Sequence, residues 1–517
     1  MAVLLLTAPG VLVARAGGVR GPKAVAVAPV LTYGIVALAI VPFGAVGIPW
    51  NAWSAAAVLT AVSGALYGFR VLLRRRRRAP DPAGSRGLDP PALAAAAAVL
   101  LGAVLIGLAA WRGLPHWQSI PSNWDSVWHA NTIRWILDTG QASPTHMGEL
   151  RNVETKAPLY YPSAFHALAA VFAQLTGAAP TTAYTLSSLA AAVWLFPLSA
   201  ALLTWNLLID RTTRWRTAGA AAAAAGLSAS FTAVPYVEFA TASMPNMAGY
   251  GLAVPAFVLV TSTLAHRDRI PVAVIAVIAV FSVHITAGIV LLTFLAAWWL
   301  LDALRHPVRG RTADFATLLT IGVTSMAALT AQFLGVLQQA EIITGHEFLT
   351  HEGRRKGLFD AVVQHTRHLN DFPIQNILIF LAAIGFLLLL YRRIWWPAAV
   401  WLLLVVSIVY SSAPFGGPAG AAVRLYSNLF YSDPRRLSGV VTLLITPMAG
   451  VALFWLCLLM VTMFRRLARS RGRDLGGAAR VGIVAVLLVV VCTGLALHYF
   501  PRHRFLFGDK YDQVIVD

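Results

Sequence analysis

The chain has 517 residues, 58% of them hydrophobic and 12% charged, and its 40 Lys and Arg against 21 Asp and Glu give a formal net charge of +19. That balance is far from a soluble globular domain, and repeated apolar runs of about 18–25 residues match the hydrocarbon thickness of a bilayer. The positive charge is confined to short Arg-rich links between those runs, which argues against a nucleic-acid partner and for the loops of a multi-pass membrane protein.

In chain order the apolar runs predict about fourteen spans: 2–14 (short), 24–46, 50–73, 92–111, 181–208, 217–235, 248–265, 271–283, 285–301, 316–337, 374–391, 394–412, 438–463 and 481–499. The expected fold is an all-α, polytopic transmembrane helical bundle. No basic n-region precedes residues 2–14, so no cleavable signal peptide is expected. Cys457 and Cys492 both lie in apolar spans, which supports neither a disulfide framework nor a Cys-based metal site.

Strict alternation puts the links Arg15–Lys23, Arg74–Arg78, Arg211–Arg216, His266–Arg269, Arg305–Arg311, Arg392–Arg393 and Arg465–Arg480 on one side, which the positive-inside rule assigns to the cytoplasm. The links 112–180, 236–247, 338–373 and 413–437 and the tail from Phe500 then face outward. The chain divides into N-terminal hairpins (1–78), a cytoplasmic linker (79–91), a transmembrane core (92–499) with a large outer loop (112–180), and an outer tail (500–517). The tail's "FGDKYDQVIVD" alternates like an opening β-strand, as though a soluble domain followed. No internal repeat is evident, which weakens a transporter built from duplicated halves.

Two spans, 271–283 and 285–301, are too short to cross fully. The bend "FSVHITAG" between them puts His284 below the outer surface, where such helices line a polar cavity or form a tilted pair whose histidine meets a neighbouring carbonyl.

Most of the chemistry lies on the outer links. In "SNWDSVWHANTIRWILDTG" a helix is predicted to begin near Ser122 and Asn123 and to stack Asp125 and His129 on one face, with Trp124 and Trp128 beside them. Ser122 and Asp125 also fit a capping box, which leaves both a catalytic and a capping role open for Asp125. Farther along, Glu149, Arg151, Glu154, Lys156, Tyr160, Tyr161 and His166 precede an amphipathic stretch, expected as an interfacial helix that the aromatic residues could simply anchor. Glu238 and Asn246 lie in "YVEFATASMPNMAG". Arg424, Tyr426, Tyr431, Asp433, Arg435 and Arg436 lie in "AVRLYSNLFYSDPRRLSG". Outward arginines suit a lipid-linked phosphate, since guanidinium pairs bidentately with phosphate oxygens, or else lipid headgroups alone.

The topology resembles the GT-C class of membrane glycosyltransferases. More narrowly, "NWDSVWHANTIRWILDTG", "YYPSAFHALAA" and "YSDPRRL" resemble a family of actinobacterial integral membrane proteins often grouped with such enzymes. GT-C enzymes commonly carry two adjacent acids in the first large outer loop, whereas Asp125 has no acidic neighbour. The resemblance implies transfer of a sugar from a polyprenyl-phosphate donor to a cell-envelope glycan, lipid or protein hydroxyl, at an active site on the extracytoplasmic face of the plasma membrane.

In that scheme Asp125 is the general base and His129 its orienting or relaying partner. Arg424, Arg435 and Arg436 hold the donor phosphate. Trp124, Trp128, Tyr160, Tyr161, His166, Glu238, His284 and Asp433 contact substrate. A divalent metal is compatible but not required. The rival expectation is a transporter or flippase of lipid-linked saccharides, which would line a path on both leaflets.

Overall fold

The computed structural model describes residues 1–77, 89–151, 159–337, 348–471 and 476–508. Among them every regular element is helical. The tail alternation at 509–517, most of the 79–91 linker, and Glu154 and Lys156 lie outside the described residues.

The first helices are α1 (Ala2–Ala16), α2 (Pro22–Val46), α3 (Ala52–Arg77) and α4 (Pro90–Gly113). They are followed by α5 (Trp124–Thr139), a short α6 (Gly148–Arg151), α7 (Ala164–Thr176), α8 (Pro180–Leu208) and α9 (Arg214–Leu227). Then come a one-turn α10 (Glu238–Ala240), α11 (Met244–Ser262), α12 (Ile270–Val283), α13 (Ile285–Trp298) and α14 (Arg311–Leu337). The chain continues through α15 (Arg354–Val363), α16 (Asn376–Tyr391), α17 (Trp396–Ser412), α18 (Gly417–Asn428), α19 (Pro434–Ser470) and α20 (Gly477–Gly508). Proline in the first turn of α2, α4, α8 and α19 starts those helices where its missing N–H costs nothing. Left-handed Gly47, Gly140 and Gly177 end α2, α5 and α7.

Each of the fourteen expected apolar runs overlaps a helix, although 217–235 leaves α9 at Leu227, and length separates them. Among the described residues nine helices are long and apolar enough to cross a membrane, or ten if α17 and α18, bent by 98°, count as one broken span. α1, α9, α12 and α16 are shorter, with 15, 14, 14 and 16 residues. The protein is thus a membrane-embedded helical bundle with several interrupted helices. Irregular backbone between α9 and α11, where residues 228–240 are all buried, is screened from lipid by the surrounding helices.

Small residues set the packing. A Cβ on Gly10 of α1 would fall 1.8 Å from the Ala28 carbonyl oxygen of α2, and one on Gly385 of α16 would meet the Met448 carbonyl oxygen of α19 at the same distance. The most apolar stretch of α11 is 89% buried and that of α3 only 6%, so α11 is central and α3 faces outward. α2 shares one apolar interior with the core, its Gly34 lying against Ile275 of α12.

The Arg-rich links gather at one end of the bundle. Arg211 pairs with Asp302 at 2.7 Å, Arg70 lies 3.9 Å from Asp268, and Arg214 bonds Asp89. Arg267 and Arg309 donate to the carbonyls of Ala313 and Ala265, both at 3.0 Å. Arg216 and Arg392 flank the Trp455 ring at 5.5 and 5.7 Å.

Candidate functional site

At the opposite end, α5 begins with Asn123, whose side chain accepts from the Ser126 N–H at 2.9 Å. The Ser126 hydroxyl turns back to the carbonyls of Pro121 and Asn123. The cap is therefore Asn123, and the Ser122–Asp125 capping box does not form. Asp125 is exposed in the first turn. His129, one turn later, is buried and meets His166 rather than Asp125, with 2.9 Å between its Nδ1 and His166 Nε2. Tyr184 stacks on His129 at 5.7 Å, and Tyr161 lies 6.0 Å from it and 5.8 Å from Trp128.

α7 is not an interfacial helix. Every residue from Ala164 to Ala173 is buried, because its alanines let it press between α2, α5 and α8. Its entry is pinned by Ser163 donating to the Ala142 carbonyl at 2.6 Å and by the Tyr160 hydroxyl donating to Gln332 at 2.9 Å. Trp50 holds its middle through the Ala167 carbonyl at 2.9 Å. Tyr160 and His166 are thus built into the interior instead of anchoring headgroups.

A second polar cluster lies among the interrupted helices. Glu238, buried in α10, accepts from Asn246 Nδ2 at 3.0 Å. Asn246 Oδ1 accepts from the Thr286 hydroxyl at 2.5 Å, and that hydroxyl is 2.7 Å from His284 Nδ1. His284 is the extended residue shared by α12 and α13, as the broken pair implied, but its partner is a threonine hydroxyl and not a carbonyl. Arg435 places Nη1 3.5 Å from Glu238 Oε1 and donates to Ser243 at 2.8 Å and to Thr241.

The third cluster opens α19. Asp433 caps the helix by accepting from the Arg435 N–H at 3.0 Å, and its carboxylate faces Arg435, Arg436 and Arg367 at 3.4, 3.8 and 3.6 Å. Ahead of it Tyr431 and Ser432 take left-handed φ values of 61° and 46°, a strained turn secured by Ser432 bonding Asn428 at 2.9 Å. That turn lays the Tyr431 ring under Arg436 at 4.4 Å. Arg436 is 15% exposed, and its Nε and Nη1 are buried without a hydrogen-bond partner.

Electrostatics join the three clusters. Burial raises the Tyr161 pKa, Asp125 and Tyr431 raise it further, and Arg436 opposes them, so these groups share one neighbourhood. The charges of Arg436 and Arg435 act on His284. Burial pushes the His129 pKa down to about 3, which keeps the imidazole neutral near pH 7. Behind Thr241 opens a cavity of about 390 Å³ lined by His368, Asp371, Phe372 and Phe505 among others. Among the described residues no three His, Cys, Asp or Glu side chains converge to hold a metal ion.

Residues 3–514 match the profile of a family of unknown function, DUF6541. The chain belongs to that family. No curated protein matches it. In this DUF6541 chain the expected residues Asp125, Trp128, His129, Tyr161, His166, Glu238, His284, Asp433, Arg435 and Arg436 fall in the three clusters. Trp124 is 89% exposed, and Arg424 is on the exposed side of α18. Sequence reasoning missed Tyr184, Thr241, Ser243, Thr286 and Arg367. Thr286, two residues after His284, carried the clearest signal; Tyr184 sits in an apolar run and carried none.

Proposed function

We propose that this DUF6541 protein is a membrane glycosyltransferase of the GT-C kind, moving a sugar from a polyprenyl-phosphate donor to a cell-envelope hydroxyl on the extracytoplasmic face. The observation that carries the reading is Arg436. It is a fixed cation, 15% exposed, with buried Nε and Nη1 that lack a hydrogen-bond partner; it faces Asp433 at 3.8 Å, lies on the Tyr431 ring, and its charge reaches Tyr161 and His284, at the end of the bundle away from the arginine-rich links. A guanidinium so placed can take the charge that develops on a departing phosphate. Arg435 cannot do this, because its donors are committed to Glu238, Asp433, Thr241 and Ser243. It holds the site's frame. Asp125, exposed near Tyr161, suits a hydrogen bond to a sugar hydroxyl.

The interrupted helices would also serve a flippase of lipid-linked saccharides. Ser282 and Gln332 of α14 exchange hydrogen bonds at 3.1 and 2.9 Å, and the buried face of α14 also carries Ser325, Thr317 and Asp314, which such a path could use. The remaining buried residues of α12, from Val272 to Phe281, are apolar, so α12 itself carries no such path. The test is purified protein in liposomes with a short-chain polyprenyl-phosphate sugar. Appearance of a glycosylated acceptor, abolished by Arg436→Gln, supports transfer. Movement of intact donor between leaflets without a new glycosidic bond supports the flippase.

A further inference from the structure

The chain Glu238, Asn246, Thr286, His284 has only one consistent arrangement of protons. Glu238 stands opposite Arg435, whose guanidinium keeps its proton, so its carboxylate can only accept. Asn246 must then turn Nδ2 toward Glu238 and Oδ1 toward Thr286. Thr286 has a single proton and gives it to Asn246 Oδ1. Facing His284, it can only accept, so the proton between them belongs to His284 Nδ1. Neutral His284 is thereby fixed in one tautomer, with Nε2 carrying the lone pair.

We infer that His284 is the proton acceptor of this site, its Nε2 kept bare and oriented by the buried Arg435–Glu238 pair acting through Asn246 and Thr286. His284 is only partly buried while Glu238, Asn246 and Thr286 are wholly inside, so the wire is sealed at one end and open at the other. The open end lies in the field of Arg436, beside the place proposed for the departing phosphate.

In the transfer reaction, on which this role rests, the acceptor O–H proton moves to His284 Nε2 and the oxygen forms a bond to the anomeric carbon. The carbon–oxygen bond to the phosphate breaks, its electron pair leaves with the polyprenyl phosphate, and Arg436 balances that charge. The imidazolium then returns its proton to water. Asn246 and Thr286 are positioning residues, as are Glu238 and Arg435.

The test separates the tautomer from the reaction. ¹⁵N NMR of histidine-labelled protein in detergent at neutral pH, with the His284 signals assigned by their loss in His284→Gln, should show a protonated Nδ1 and a bare Nε2. Thr286→Val removes the acceptor without changing shape and should shift His284 toward the other tautomer, whereas Thr286→Ser should not. A bare Nδ1 or an imidazolium in the unaltered protein overturns the inference, as does a Thr286→Val spectrum identical to it. In the transfer assay His284→Gln should lose about 10²- to 10⁴-fold in kcat. Thr286→Val should lose about tenfold and Thr286→Ser little. Near-normal transfer by His284→Gln overturns the catalytic role. If the unaltered protein shows the expected tautomer yet transfers no sugar, the transferase reading fails while the proton arrangement stands.

Discussion

Arg435 and Glu238 face each other inside the bundle, 3.5 Å from Nη1 to Oε1, tying the start of α19 to the irregular segment ahead of α11. Arg435 also faces Asp433 at 3.4 Å, so one guanidinium serves two buried carboxylates. Charges at such depth are tolerated only when paired.

Removing one partner should therefore be worse than removing both. Arg435→Gln leaves Glu238 without its counter-charge and should cost about 3–5 kcal/mol. Adding Glu238→Gln should recover part of that loss. Thermal unfolding in detergent, with folded yield from size exclusion, measures both; a double variant no better than Arg435→Gln alone would mean that the pair does not set this stability.

Arg436 calls for the opposite expectation. Its Nε and Nη1 have no hydrogen-bond partner, and Asp433, 3.8 Å away, keeps Arg435 and Arg367, so Arg436→Gln should cost only ~1 kcal/mol of stability, chiefly the lost stack on Tyr431. It should weaken binding of a short-chain polyprenyl phosphate by about 1.5–3 kcal/mol, roughly 10- to 150-fold in Kd. Calorimetry or ligand-induced thermal shift reads the difference, and unchanged affinity would reassign Arg436 to lipid headgroups.

Asp125 and Asn123 should separate cleanly. Asn123 is the cap, so Asn123→Ala should lower stability by about 0.5–2 kcal/mol. Asp125→Asn should leave the melting temperature unchanged. Its transfer defect should appear as a rise of about tenfold in KM with kcat held within a few-fold, as expected for a lost substrate hydrogen bond. A kcat loss of about 10²-fold or more would make Asp125 the base instead.

Acid should destabilise the fold through His129. Burial holds its pKa near 3 in the folded protein, below the ordinary value of 6.5. Between those values the unfolded chain binds a proton that the folded one does not, so stability is complete above about 6.5 and falls as the pH drops toward 3. The slope from this one group is at most about 1.4 kcal/mol per pH unit. Melting curves at pH 7.5 and 5 should show the drop, and His129→Gln should shrink it; an equal drop in both proteins would place the effect on other buried histidines.

Sidedness is also open to direct measurement. Single cysteines at Gly148 and Gly310, in a background lacking Cys457 and Cys492, should react with an impermeant reagent from opposite faces, with Gly148 outside. Labelling of both from one face would break the alternation on which the donor side depends.

Composition and period alone determined that this is a membrane-embedded helical bundle, because apolar runs and proline or glycine breakers are local properties. The clustering of arginines in alternate links was legible for the same reason. The break at His284 was legible in "FSVHITAG", but of the two runs beside it only α12, with 14 residues, is too short to cross; the helical stretch Ile285–Ala303 has 19 residues and is one of the nine long enough among the described residues. The pairing of His129 was not legible: a helical period puts Asp125 and His129 on one face, but α7 arrives from another part of the chain and takes His129 through His166. The division of labour between Arg435 and Arg436 was equally hidden. Adjacent residues on a helix point about 100° apart, so Arg435 turns between Glu238 and Asp433 while Arg436 keeps only the longer approach to Asp433 and lies on Tyr431. The direction of the wire from Glu238 to His284 depends on four residues from three segments meeting at hydrogen-bonding distance. No local pattern encodes that meeting, since it is fixed by how α11 packs on α12 and α13.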